Sequence, residues 1–296
     1  MAEWVAAGLT APPGFTPHAC RVHTREVSYC AGWCEPYQNP AAVLFRLEPA
    51  GVRELVRRPG RFLALDVADE VVWALLSVAR PEGGSSFSVL RSPALDQPLP
   101  VPATSLARLL AVSATEAWVL GPDTLLRTTD GGQTWQAVSA PGQRSGVTER
   151  LEQAGSTVRL LTQGSVLTTR DGGANWQALD LQGARACALD RGALLAVQNG
   201  EIRFGAPSDA GVQWLGSFAY DAEPVRLAMG PGGASFAALP NHPEQQPGIL
   251  YFESADQGQN WGIQLIPARV VEGAVDLRAE GGLMVGPAGD LFILRG

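Results

Sequence analysis

One octapeptide recurs three times in this 296-residue chain. The copies read Thr128-Thr129-Asp130-Gly131-Gly132-Gln133-Thr134-Trp135, Thr169-Arg170-Asp171-Gly172-Gly173-Ala174-Asn175-Trp176 and Ser254-Ala255-Asp256-Gln257-Gly258-Gln259-Asn260-Trp261. A worn fourth copy is Pro207-Ser208-Asp209-Ala210-Gly211-Val212-Gln213-Trp214. The four tryptophans stand 41, 38 and 47 residues apart. A near-constant spacing of that size marks stacked supersecondary units. Four short strands with their turns fill about 40–45 residues, which is one blade of a β-propeller.

Each element of the pattern Ser/Thr-x-Asp-x-Gly-x-x-Trp has a physical role. The Asp carboxylate accepts bonds from backbone N–H groups two or three residues on, closing an Asx-type turn. Glycine supplies a positive φ that a tight turn demands. The hydroxyl adds a second local bond, and the Trp opens the next strand with a large ring to bury. The pattern resembles the Asp-box, also called the bacterial neuraminidase repeat. Asp130, Asp171, Asp209 and Asp256, with Trp135, Trp176, Trp214 and Trp261, therefore read as structural. A catalytic or Ca²⁺ site needs unlike residues converging on one point, whereas these recur identically from unit to unit.

In such propellers the box joins the third strand of a blade to the fourth. Working outward from each box predicts blades over 105–141, 147–182, 183–220 and 223–268. Two units without boxes precede them, over 17–59 and 61–103. The C-terminus, 271–296, supplies only three strands. The missing fourth is expected from Glu3–Leu9, with Trp4 standing where a box Trp would stand. The fold class predicted is all-β, a single-domain seven-bladed propeller closed by its N-terminal strand, with six blades as the alternative if the first unit is irregular.

Composition narrows the function. The net charge of −7 and pI near 5.1 argue against nucleic acid and anionic membrane surfaces as partners. No apolar run reaches the length of a membrane-spanning helix. Met1-Ala2-Glu3-Trp4 shows no basic segment followed by an apolar run, so a cytoplasmic location is expected, or export if a leader has been removed. All 22 basic residues are Arg. That excludes Schiff-base chemistry and agrees with a GC-rich genome.

The boxes with Gly-Gly and a terminal Trp, as in Asp130-Gly131-Gly132-Gln133-Thr134-Trp135, most resemble the photosystem II stability/assembly-factor family and its relatives in non-photosynthetic bacteria. The resemblance spans 106–294 and implies a seven-bladed binding scaffold, possessing neither cofactor nor catalytic residues. The boxes also resemble those of sialidases, which add an Arg triad, a Tyr–Glu pair and an Asp acid. The sialidase Arg-Ile-Pro motif has only Phe45-Arg46-Leu47-Glu48-Pro49 as its counterpart, and Arg46 falls on a third strand, away from the central channel. Tyr29 and Tyr251 fall on second and third strands. Glycan binding or hydrolysis is the alternative function.

No nucleophile elbow, phosphate loop, His-Glu-x-x-His or EF-hand occurs. Of three histidines, His242 lies in a Pro-rich loop, while His18 and His23 flank the cysteines. Cys20, His23, Cys30 and Cys34 crowd within fifteen residues. Their spacing is not the paired type of a zinc site, and Cys20 and His23 point to opposite faces of a strand. A hairpin places Cys20 nearly opposite Cys30, so buried thiols are the first reading, with a cross-strand disulfide and then a zinc site as the alternatives, and no metal-binding residue is assigned. Cys187 reads as a small core residue.

Three loops between second and third strands are long: 33–42, 79–85 and 240–248. They emerge on the face opposite the boxes, in units one, two and six, consecutive around a ring with the seventh. Loops on a rigid scaffold carry function, and aromatics anchor interfaces. The partner-binding candidates are Trp33, Glu35, Tyr37, Gln38 and Asn39 in the first loop, Arg80 and Glu82 in the second, and His242, Glu244 and Gln245 in the third. The expected partner is another protein, and the expected role is a non-enzymatic scaffold or assembly factor.

Overall fold

Every regular element among the described residues of the computed structural model is a strand. The structure describes residues 3–10, 15–24, 26–34, 40–103, 108–141, 148–154, 156–162, 164–190, 193–208, 211–219, 224–230, 233–238, 249–256, 259–266, 275–278, 281–285 and 290–295. The chain begins with β1 (Glu3–Thr10). Sheet I follows with β2 (Phe15–Val22), β3 (Ser28–Cys34), β4 (Ala41–Glu48) and β5 (Gly51–Pro59). Sheet II holds β6 (Arg61–Ala68), β7 (Val71–Ala79), β8 (Ser85–Arg91) and β9 (Ala94–Val101). Sheet III holds β10 (Arg108–Ala111), β11 (Ala117–Leu120), β12 (Leu125–Thr128) and β13 (Gln136–Ala137). Sheet IV holds β14 (Thr148–Ala154), β15 (Thr157–Thr162), β16 (Ser165–Thr169) and β17 (Gln177–Asp180). Sheet V holds β18 (Arg185–Asp190), β19 (Ala193–Gln198), β20 (Glu201–Ser208) and β21 (Gly211–Ala219). Sheet VI holds β22 (Pro224–Gly230), β23 (Gly233–Ala238), β24 (Ile249–Ser254) and β25 (Gly262–Ile266). Sheet VII holds β26 (Val275–Arg278), β27 (Gly281–Val285) and β28 (Asp290–Arg295), with β1 as its fourth strand.

The described residues thus form seven four-stranded antiparallel sheets, six of them contiguous in sequence. In the seventh, β1 pairs with β28 and sets Trp4 opposite Leu294. The first strands of neighbouring sheets lie side by side: β2 with β6, β6 with β10, β10 with β14, β18 with β22, and β22 with β26. Sheet IV meets sheet V through β15 and β18, and β26 and β27 lie against β2.

The core is a series of slabs between successive sheets. Tyr29 and Leu44 of sheet I meet Phe62 and Leu65 of sheet II. Trp73 and Val89 meet Leu109 and Val119. Trp118 and Leu110 meet Leu151 and Leu160, and Leu161 and Val166 meet Leu194 and Val212. A middle strand therefore buries both faces. That is why β7 reads Val-Val-Trp-Ala-Leu-Leu without alternation, with Val72 to Leu76 all buried. Fourth strands face solvent and are polar or short: β9 carries Pro98 and Pro100, and β13 has two residues, both exposed. Pro and brevity blunt an open edge.

Trp33 corrects the expected loop boundary. Strand β3 continues through it, with Trp33 opposite both Thr16 and Ala42, and Cys34 opposite Phe15 and Ala41. The loop shrinks because the apolar run on β4 begins at Ala41 and draws β3 along with it.

Candidate functional site: a locked face and an open face

The box turns form one face of the molecule. In sheet III the Thr128 hydroxyl donates to Asp130 Oδ1 at 2.8 Å and accepts the Gly132 N–H at 2.9 Å. Asp130 Oδ1 accepts the Thr134 N–H at 2.9 Å, and Oδ2 accepts the Thr134 hydroxyl at 2.6 Å. Sheet IV repeats this through Thr169, Asp171, Gly173 and Asn175. In sheet VI, Ser254 donates to Asp256, which accepts the backbone and side-chain N–H groups of Asn260 at 2.8 and 2.6 Å.

The carboxylate therefore reaches the fourth residue on, not the second or third. The sequence signal for this is the donor side chain before each Trp: Thr134, Asn175 and Asn260. These bonds stabilise the ionised form and lower all three aspartates from 3.8 to about 2. The leading cause is the Thr134 hydroxyl at Asp130, and the backbone N–H of Asn175 and Asn260 at the other two.

The Gly-Gly pair is explained by the neighbouring sheet. Gly131 and Gly172 have φ of 77° and 70°. A Cβ on Gly131 would stand 2.8 Å from Arg91 Nη1 of sheet II, and one on Gly172 would collide with the Arg127 guanidinium of sheet III. The second glycine is pressed likewise: Gly132 faces Leu99 and Trp73, and Gly173 faces Val138 and Trp118. Each box nests into the sheet before it. Arg91 lies 5.7 Å from the Trp73 ring centre and donates to Ala114 O at 2.7 Å. Arg127 lies 5.6 Å from the Trp118 ring and 2.8 Å from Glu116 Oε1. Trp176 N–H reaches back to Ser139 O at 3.0 Å, and Trp214 N–H to Gln182 Oε1 at 3.2 Å.

Asp66, buried on the first strand of sheet II, ties three sheets together. Its Oδ1 accepts from Arg21 Nε at 3.0 Å and its Oδ2 from the Ala111 N–H at 3.0 Å. Asp69 accepts the Ala114 N–H at 3.0 Å in the adjoining turn. Composition and motif gave no sign of either role, since both acceptors act across about 45 residues.

The fourth copy is described on either side of its Asp. Asp209 lies outside the described residues, but Ser208 pairs with Gly211, Pro207 with Val212 and Gly205 with Trp214. Sheet V thus continues its ladder as far as Ser208 and Gly211. Pro207 stands there at the position that Thr128, Thr169 and Ser254 occupy in the other copies, so the hydroxyl of the pattern is absent from this copy. Trp214 is covered by the Arg203 guanidinium, 4.4 Å from its ring centre.

On the opposite face the described second-to-third turn of sheet II is open. Arg80 and Glu82 are exposed, and the turn is closed by Gly83 N–H to Arg80 O and Arg80 N–H to Gly84 O, both 3.1 Å. Gly83 and Gly84 have positive φ with nothing near their missing Cβ. Trp33 is half-buried on its strand, 5.5 Å from the His18 ring and under the Arg61 guanidinium at 5.3 Å. Glu35, Tyr37, Gln38 and Asn39, and His242, Glu244 and Gln245, lie outside the described residues.

Arg46, on β4, lies 3.1 Å from Glu48, which commits it to an ion pair on a third strand. Cys20 and Cys30 are directly opposite in the β2–β3 register, and both are buried. Cys34 is four residues along the same strand, about 13 Å away at strand rise, out of reach of a shared metal ion. His23 Nε2 lies 2.8 Å from Glu70 Oε1. Cys187 is on first strand β18. No helix among the described residues is long and apolar enough to cross a membrane.

Residues 82–211 match the family model of the photosynthesis system II assembly factor YCF48. They run from the Arg80–Gly84 turn into sheet V and include the two complete Gly-Gly boxes. This stretch is similar to the photosystem II assembly-factor family, and the chain carries its Asp-box repeats on a β-propeller fold. It superposes on a structure of YCF48 bound to D1 peptide with a TM-score of 0.68 at 16% identity, over 100% of this chain and 95% of that one. A functionally unknown protein from Desulfotomaculum acetoxidans aligns with TM-score 0.58 and 10% identity over 86% and 90% of the two chains. PorZ, a surface component of the type-IX secretion system of Porphyromonas gingivalis, aligns with TM-score 0.55 and 15% identity over 99% of this chain and 38% of its own. At these identities the superpositions speak to fold. No curated protein matches in sequence.

Proposed function

We propose that this chain is a non-enzymatic protein-interaction module. Its seven sheets act as seven blades of a disc closed by β1, and it presents a peptide or protein segment to an assembly process. The observation that carries the reading is the asymmetry of the faces. On the box face, the Asp130 carboxylate is spent on its own turn, Arg91 on the Ala114 carbonyl and the Trp176 N–H on the Ser139 carbonyl. On the other face, the Arg80–Gly84 turn is solvent-exposed and closed by hydrogen bonds within itself. The fold-level likeness to a YCF48 structure with a bound peptide, and to a secretion-system component, supports a scaffold role. The glycan-hydrolysing alternative draws no support, since Arg46 is paired on a third strand.

In this reading Glu35, Tyr37, Gln38 and Asn39 contact the partner, and Trp33 stands on the strand that leads to them. Arg80 and Glu82, and His242, Glu244 and Gln245, continue the ridge. The test is affinity for the co-purified partner after Trp33→Ala and Tyr37→Ala together, with thermal unfolding confirming the fold. Loss of an aromatic anchor at about 2 kcal/mol weakens binding roughly 30-fold. Unchanged affinity in a folded variant defeats the assignment.

A further inference from the structure

We infer that Cys20 and Cys30 are a disulfide-forming pair that staples the β2–β3 hairpin where the first and last sheets meet. Three observations converge. The two residues are exact partners in the antiparallel register. Their sulfurs are 2.9 Å apart, in a core where Cys20 is wholly and Cys30 almost wholly buried. The His23 N–H donates to Val27 O at 3.0 Å, so His23 and Val27 are a hydrogen-bonded pair. Counting back by alternation, Cys20 and Cys30 fall at a non-hydrogen-bonded pair. There the Cα atoms approach to about 4.5 Å, inside the window of disulfides.

The location gives the bond a consequence. Strand β2 lies against β6 on one side and against β26 and β27 on the other. It is the seam between the start of the chain and the sheet that β1 completes. A covalent link between β2 and β3 restrains this seam in the unfolded chain and slows its opening in the folded one. The step is a thiol–disulfide exchange. One cysteine, as thiolate, attacks an external disulfide such as oxidised glutathione, forming a mixed disulfide and releasing one thiol. The second thiolate then displaces the other glutathione. Both protons leave the cysteines, and the two electrons reside on the two glutathione thiols. Since the folded pair is buried, the bond forms as the hairpin assembles, and it persists in an oxidising compartment.

The experiment refolds the full chain, reduced and denatured, in a glutathione redox buffer. It is then alkylated and digested with trypsin without reduction. Arg21 and Arg25 separate the two cysteines, so the bond appears as two cross-linked peptides. Chymotrypsin, cutting after Trp33, resolves Cys30 from Cys34 in the natural sequence. The expected result is a Cys20–Cys30 link, alkyl groups confined to Cys34 and Cys187, and an unfolding temperature that falls on reduction. The same link should persist in Cys34→Ser and vanish in Cys30→Ser. Alkylation of all four cysteines, or a link that runs to Cys34, overturns the inference.

Discussion

The turns of sheets III and IV and the turn of sheet II at Arg80–Gly84 are all built on glycine pairs with positive φ, yet their surroundings differ completely. In the boxes, a Cβ on the glycine meets an arginine, a valine or a tryptophan of the preceding sheet. At Gly83 and Gly84 it meets nothing. Glycine in the boxes serves sheet-to-sheet packing, while glycine in the open turn serves only the backbone. The box turns of sheets III and IV are engaged by the preceding sheet, whereas the Arg80–Gly84 turn of sheet II is exposed.

That contrast can be broken most severely at Asp66. Asp66→Ala removes the carboxylate partner of Arg21 Nε and the acceptor for the Ala111 N–H at once, which should destabilise the protein by about 3–5 kcal/mol in denaturant unfolding. A loss under 1 kcal/mol would show that the tie between sheets is dispensable. Next, Gly173→Ala forces a Cβ against Val138 and Trp118 at φ 91°, costing about 2–4 kcal/mol through backbone strain and overpacking together. Gly164→Ala, at φ 89° in open space, retains only the backbone part, about 1–2 kcal/mol. Equal losses at the two sites would erase the distinction between packed and open glycines.

Acid sharpens the same comparison. The box aspartates titrate at about 2 in the folded protein and near 3.8 otherwise. A depressed folded value means that their stabilisation is fully present above about pH 4 and lost as pH falls towards 2. Unfolding followed from pH 5 to pH 2 should show this loss, and Asp171→Asn should flatten part of it. A profile unaltered by that substitution would mean the box carboxylate is replaceable. The smallest effect is expected on the open face: Glu82→Ala should move stability by no more than about 0.5 kcal/mol.

Much of this was legible in the chain. The spacing of the boxes predicted the β-propeller class, and short apolar runs bounded by turn residues located strands in the sheets without boxes. The donor before each Trp was visible in Thr134, Asn175 and Asn260 but meaningless until Asp130 was seen to reach it. Other features could not be read locally. The partners of Gly131 and Gly172 are Arg91 and Arg127, which belong to the previous repeat, and Asp66 works on strands both before and after its own. Trp33 was misplaced in a loop because β3 is prolonged by pairing with β4, a tertiary effect that outweighs local composition. The worn copy at Asp209 keeps its Trp and a donor side chain in Gln213 but has Pro207 in place of the hydroxyl residue.

The division of the molecule into a locked and an open face is tested most directly by site-specific photo-cross-linking in the native host. A benzophenone amino acid replaces Glu82 on the open turn or Gln133 on a box turn, both exposed. The account predicts that a defined protein partner is captured from position 82 and not from position 133. Capture from position 133 alone, or equally from both, would contradict it.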